Sequence, residues 1–291
     1  MPRVSLLSLT RCSSAVPTAH ALLAYSPGSD PDVPPARHPC HRRHDLTGRT
    51  VVFVHAHPDD EAIFTGATIR RLADAGARVV LVTATSGELG EPRVPLGGRT
   101  LGQVRDAELE RSADLLGVQR LVRLGKRDSG IPVSDDPRAF VRADLPALAR
   151  TLSALVAQEG AEAVVGYDAD GVYGHPDHVA VHLLARHAAA LAGVTSYDAT
   201  VDREHLHFAG AHLLGQAGAG AEYGRVTAEI GIALAATARE LAVKRQALLA
   251  HASQITERML DERFQETYEL EWYLRRGPRA VLDEMNVHAL V

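Results

Sequence analysis

Cysteine is nearly absent from this 291-residue chain: Cys12 and Cys40 are the only two, and both precede the first stretch that reads as a strand. A catalytic thiol, a cysteine-rich zinc site and a disulfide framework are therefore excluded from the folded core, and any metal held there must use His, Asp or Glu. Aromatic residues make up 4% of the chain, too few for the stacking platforms that bind single-stranded nucleic acid. The net charge is −5, with no basic stripe, so nucleic acid is not an expected partner. No apolar run reaches the ~18 residues of a membrane-spanning helix. The first strand-to-helix turn lacks Gly-x-Gly-x-x-Gly, which counts against a non-catalytic, Rossmann-like dinucleotide-binding module.

What is present is ordinary globular composition, 46% apolar and 23% charged, enough for one large α/β domain. Residues 1–46 are rich in proline and turn formers, as in Ser26-Pro27-Gly28-Ser29, and show no period of 2 or 3.6. They read as a disordered N-terminal extension or the product of an upstream start codon. Arg11 interrupts their short apolar runs, so a signal peptide is not expected and the protein is placed in the cytoplasm. The domain itself is expected over residues 47–291.

From Thr50 the pattern changes. Thr50-Val51-Val52-Phe53-Val54, Arg78–Thr83, Arg120–Leu124 and Ala163–Tyr167 are short apolar runs of the kind found in strands buried on both faces. Helical spacing fills residues 60–75, 101–116, about 138–159 and about 176–191 between and after them. Alternation of this kind predicts a Rossmann-like, doubly wound, mostly parallel sheet with helices on both faces. Residues 205–209 read as an edge strand, residues 232–250 as one helix, and the tail 262–291, with Trp272 and Tyr273, as packing around the mouth of a site.

Two polar clusters follow the first and fourth strands: His57-Pro58-Asp59-Asp60-Glu61 and Tyr173-Gly174-His175-Pro176-Asp177-His178. With strand order 3-2-1-4-5 these strands are neighbours, and the clusters meet at the crevice where such sheets bind ligands. His57 and Asp60 can reach one point across the start of a helix, and His178 from the opposite loop completes a three-ligand set. Two imidazoles and a carboxylate with a vacant position suit Zn2+, and Fe2+ is also compatible. Asp59 is then free to act as a base. Taken singly, the same acids could only charge a helix N-terminus, and His178 with His182, four apart, forms a competing metal pair.

The two motifs in this order resemble the PIG-L (LmbE-like) N-acetylglucosaminyl deacetylase family, a likeness running from about Thr50 to about Ile255, and among its members the mycothiol-pathway deacetylases most. The resemblance implies His57, Asp60 and His178 as zinc ligands and Asp59 as general base. It implies His175 as a cationic or hydrogen-bonding stabiliser of the tetrahedral intermediate, Asp177 as the residue orienting it, and Tyr173 as a mobile tyrosine polarising the substrate carbonyl. It further implies Arg105 and Asp128 as readers of sugar hydroxyls, although Arg105 could instead pair with Glu108 on its own helix. The implied activity is zinc-dependent removal of the N-acetyl group from an N-acetylglucosamine-containing glycoside or similar small amino sugar. The alternative is an amidase cleaving a larger acyl or cysteinyl amide. A secondary-metabolite tailoring deacetylase uses the same residues.

Overall fold

In the computed structural model, described for residues 44–209, 223–260 and 263–285, the first buried run is strand β1, Thr50–His55, and every residue of it is buried. Val51 and Phe53 pack into one apolar cluster, Val52 and Val54 into another. That split is the period-2 signature of a strand covered on both faces. The remaining parallel strands are β2, Arg78–Thr85; β3, Arg120–Lys126; β4, Ala163–Tyr167; and β5, Thr195–Thr200. Two more, β6 (Ile232–Ala235) and β7 (Leu270–Arg276), complete a seven-stranded sheet of order β3-β2-β1-β4-β5-β7-β6. The order 3-2-1-4-5 expected from the sequence is thus present, and β7 alone runs antiparallel to its neighbours.

Helices α1 (Asp60–Phe64), α2 (Gly66–Asp74) and α3 (Leu101–Leu116) follow β1 and β2. Helices α4 (Leu145–Gln158), α5 (the single turn Gly171–Gly174) and α6 (Pro176–Ala192) flank β4. Beyond β5 come α7 (Arg203–Ala209), α8 (Ala238–Ala250), α9 (Phe264–Tyr268) and α10 (Val281–Met285). Leu72 of α2, Leu109 of α3 and Leu248 of α8 share one face of the sheet with Val51 and Phe53. Leu152 of α4 and Val181 of α6 cover the other. Among the described residues no helix is long and apolar enough to cross a membrane.

Several expected elements differ, each for a local reason. The helix expected over 60–75 breaks at Thr65, whose hydroxyl donates to Glu61 O, and α2 restarts with the amides of Ala67 and Thr68 donating to the Glu271 carboxylate at 2.8 Å each. The helix expected from Arg138 begins at Leu145, because Asp144 caps it by accepting from Ala147 N at 3.0 Å, with Pro146 in the first turn. The stretch 232–250 divides into β6 and α8 at a Thr237–Glu240 capping box. Residues 205–209 lie in α7 rather than a strand, because Asp202 Oδ1 accepts from the amides of Glu204 and His205. The tail does not gather at a site mouth: Leu270–Arg276 inserts between β5 and β6, with Trp272 and Tyr273 buried on opposite faces. The expected N-terminal extension lies outside the described residues as far as position 43, as do Cys12 and Cys40. Within its last residues Leu46 is already core, 2% exposed and donating its amide to Ala75 O.

Gly166 of β4 marks the closest approach of strand and helix. A Cβ there would stand 2.7 Å from Ala185 Cβ on α6, an atom that moves only with its helix backbone. Gly166→Ala is expected to destabilise the fold by about 1–3 kcal/mol through overpacking, read as a lowered midpoint in urea unfolding.

Candidate metal centre

His55 closes β1 wholly buried, with Nδ1 2.9 Å from Tyr167 Oη and Nε2 2.9 Å from Thr65 Oγ1. Burial pushes its pKa down to about 4, so it is a neutral strut between β1 and β4. Tyr167 in turn stacks on His178, centroids 4.2 Å apart and planes within 9°. The two polar clusters are therefore tied together by the last residues of the strands that carry them.

The chain then turns through Asp59, at φ 109° and ψ −30°, a conformation that costs a non-glycine residue about 1–3 kcal/mol unless its surroundings enforce it. The enforcement is visible. Asp59 N donates to Glu61 Oε2 at 3.0 Å, and Arg105 Nη2 donates to Pro58 O at 2.5 Å and to Asp59 Oδ2 at 3.1 Å. Burial lifts the Asp59 carboxyl; Arg105 pulls it back, neighbouring Asp60 raises it again, and the result is about 6.

Asp60 Oδ2 is the point on which the imidazoles converge, 3.3 Å from His57 Nδ1 and 3.3 Å from His178 Nε2. It also accepts from His57 N at 2.8 Å. The far side of the His57 ring faces acids, Nε2 lying 3.3 Å from Asp177 Oδ2 and 3.7 Å from Asp128 Oδ1. Burial alone would lower His57, but the bonds to Asp177 and Asp60 overcome it and raise the pKa to about 10. Asp60 is held well below the usual carboxylate range against its own burial by His178 and His57.

These side chains fit a cation. Ligand atoms of His57, His175 and His178 all lie within 4.8 Å of one another, as do those of His57, Asp128 and Asp177. The decisive residue is His178, 0% exposed with neither ring nitrogen hydrogen-bonded among the described residues. A buried polar atom left unpaired forfeits about 1–3 kcal/mol, and the His178 Nε2 lone pair beside Asp60 is what a divalent ion would take up. Two imidazoles and a carboxylate suit a borderline ion.

Of the other expected site residues, His175 lies with its ring 4.6 Å from His57 and 5.1 Å from His178. Its Nδ1 accepts from Asp177 N at 3.1 Å, which puts the proton of the neutral ring on Nε2. Burial and the neighbouring imidazoles depress its pKa to about 3, so it is a neutral donor rather than a cation. The Asp177 carboxylate was expected to orient His175, but its Oδ2 instead meets His57 Nε2 and Ser129 N. That is the usual outer partner of a metal-ligating imidazole. The Tyr173 ring centroid is 4.9 Å from that of His178, and burial, then Asp60, push its phenol well above the usual range. Asp128 stands at the edge of this group, accepting from Gly130 N and Leu89 N. Arg105 turns inward: 5% exposed, it donates to Gly87 O, Pro58 O and Asp59, not to Glu108. His182 Nδ1 donates to Tyr167 O at 2.8 Å, and the residue belongs to neither donor group.

A buried layer beneath Asp59 was not anticipated. Glu61 Oε1 meets His251 Nε2 at 2.6 Å and Ser112 Oγ at 2.5 Å, and Glu108 accepts from Ser253 N and Oγ. Glu61 stood within the motif with no role assigned to it. His251 carries no signal in Leu249-Ala250-His251-Ala252, the plain end of a helix.

Residues 52–189 match the family described as PIG-L: GlcNAc-PI de-N-acetylase. The chain is 43% identical over 159 residues to the 1D-myo-inositol 2-acetamido-2-deoxy-alpha-D-glucopyranoside deacetylase 2 of Catenulispora acidiphila, covering 50% of this chain and 52% of that protein. It is also 43% identical over 166 residues to the corresponding deacetylase of Salinispora arenicola, covering 52% of this chain and 54% of that one. The chain thus spans about half the length of the curated relatives it matches. In fold it is similar to the N,N'-diacetylchitobiose deacetylase from Pyrococcus horikoshii, with a TM-score of 0.54 at 22% identity over 78% of this chain and 84% of that one.

Proposed function

From a chain that carries a PIG-L family domain over residues 52–189, we propose a metal-dependent hydrolase that removes the N-acetyl group from an N-acetylglucosamine-containing glycoside. The observation that carries the reading is the convergence of His57 and His178 on Asp60 Oδ2, with neither ring nitrogen of buried His178 hydrogen-bonded among the described residues. His57, Asp60 and His178 would hold the ion, Zn2+ or Fe2+. When bound, such an ion supplies Lewis acidity and brings the pKa of a water from about 15.7 toward about 7.

The chain's own residues do the rest. Asp59 takes the proton of the attacking water. His175 Nε2–H and the Tyr173 hydroxyl donate to the acetamide oxygen as negative charge grows there; each such fixed donor contributes on the order of 2.7–4 kcal/mol. Neutral His175, with its pKa near 3, is a hydrogen-bond donor at neutral pH and holds no spare proton, so protonation of the leaving amine falls to the Asp59 carboxyl. Asp177 fixes the His57 ring from outside. Asp128 is the acceptor for a sugar hydroxyl. Arg105 acts through Asp59, its Nη1 and Nη2 being committed to Gly87 O, Pro58 O and Asp59. Leu89, 47% exposed, binds Asp128 through its amide, and Ile131, three residues along the chain from Asp128, is 63% exposed. These apolar side chains favour, as a second reading, an amide bearing a larger acyl group.

Metal analysis followed by amine-release assays on N-acetylglucosamine, its inositol glycoside, a diacetyl disaccharide and longer N-acyl analogues tests both readings. Chelated protein is expected to lose activity and regain it with zinc, iron or cobalt. A chain that gains nothing from any of these ions does not work this way.

A further inference from the structure

Part of the support beneath Asp59 comes from beyond the family-matched segment 52–189. Immediately after α8, His251 is wholly buried, and its Nε2 lies 2.6 Å from Glu61 Oε1. Ser112 of α3 donates to the same oxygen at 2.5 Å. The other oxygen, Oε2, accepts the Asp59 amide at 3.0 Å. One buried carboxylate is therefore fixed from one side and fixes a backbone amide on the other. The turn that carries His251 is itself anchored, because Ser253 N and Oγ donate to Glu108 at 2.8 and 2.6 Å. Glu108 lies one turn along α3 from Arg105, which holds the Asp59 side chain.

We propose that His251, acting through Glu61, is a positioning residue for Asp59: it fixes the carboxylate that receives the Asp59 amide and so keeps Asp59 at φ 109°. This rests on Asp59 being the base of the reaction proposed above. A residue in that region of backbone space stays there only while its neighbours over-determine it. Loosening one anchor lets the turn relax, and a displacement of about 1 Å at a reacting group can slow turnover on the order of 100-fold. Binding of substrate is untouched, since His251 lies behind the turn, so the effect belongs in kcat and not in KM.

The test uses the metal-reconstituted full chain with an N-acetylglucosamine glycoside as substrate. His251→Ala is expected to lower kcat about 10- to 100-fold, with unchanged metal content and KM. His251→Gln, whose side-chain amide can donate to Glu61, is expected to recover most of that loss. The Asp59 backbone amide proton, followed by NMR in labelled protein, should move upfield in His251→Ala and return in His251→Gln. Unchanged kcat in a folded His251→Ala, no recovery in His251→Gln, or an Asp59 amide resonance that does not move would each overturn the proposal. Should His251→Ala not fold, Glu61→Gln carries the same kinetic and NMR expectations. A parent chain that binds metal and releases no amine from any substrate overturns the functional reading instead, and the amide resonance still decides whether His251 positions Asp59.

Discussion

Asp59→Ala is expected to keep its full complement of metal while releasing amine about 10²–10⁴-fold more slowly than the parent chain. The two consequences separate because the neighbouring acids have different surroundings. Asp60 Oδ2 lies between His57 and His178 and is held ionised by them, whereas Asp59 is held by Glu61 and Arg105. Removing the Asp59 side chain takes away a proton acceptor and leaves the donor set standing. His178→Ala has the opposite signature: bound metal and turnover fall together. Metal content per chain and steady-state kinetics, measured on the same preparations, distinguish the two. A folded Asp59→Ala chain with near-parental kcat would remove Asp59 from the mechanism.

The same residue sets a pH dependence. An acid lifted by burial to about 6 is a base only in its deprotonated form, so activity falls as pH drops through that value and levels off above it. Arg105 is the nearest cation opposing the shift, and Asp60 and Glu61 add to it. A divalent ion on the adjacent donors also favours the carboxylate. The acid limb of kcat/KM in the metal-loaded enzyme therefore lies at or below about 6, and an acid limb near neutral pH would point to a different base.

How far the site could be read from sequence follows from the range of the interactions. Strand order was legible because β1 to β4 are buried runs whose alternation with helices admits few topologies, and that order brings His57 and His178 within reach of one another. The elements beyond β5 were not, because their identity is decided by partners distant in sequence. Ile232–Ala235 has the composition of the helix that follows it and becomes a strand by pairing with β7, while Leu270–Arg276 takes its place through β5 and β6. Asp177 illustrates the same limit within the motif. The family resemblance implied His175 as its partner, yet its backbone amide meets His175 while its carboxylate reaches 120 residues away to His57. Arg105 shows it again, since whether a guanidinium faces substrate or supports a turn depends on the Pro58 and Gly87 carbonyls that a linear reading does not bring near it.

Lys244→Met is expected to destabilise the protein by about 3–5 kcal/mol, the effect of leaving one member of a buried ion pair without its partner. Lys244 Nζ donates to Glu271 Oε1 at 2.7 Å with both side chains 1% exposed, and it stands 5.4 Å from the Tyr268 ring centroid. Glu271→Ala should be worse still, because the same carboxylate accepts the first free amides of α2, Ala67 N and Thr68 N, and losing a helix cap costs about another 1 kcal/mol. Replacing both residues with apolar ones, which commonly recovers the stability of a buried pair, should here recover only part of it, since the α2 amides stay unsatisfied. Urea unfolding of the metal-loaded chain measures all three, and a Lys244→Met loss below about 1 kcal/mol would mean the pair does not hold α8 and β7 to α2. The consequence reaches the candidate metal centre through chain connectivity: α2 follows α1 after the single residue Thr65, whose hydroxyl lies 2.9 Å from His55 Nε2. Loosening the start of α2 therefore loosens the turn from His57 to Glu61, and these variants should lose affinity for the metal as well as stability.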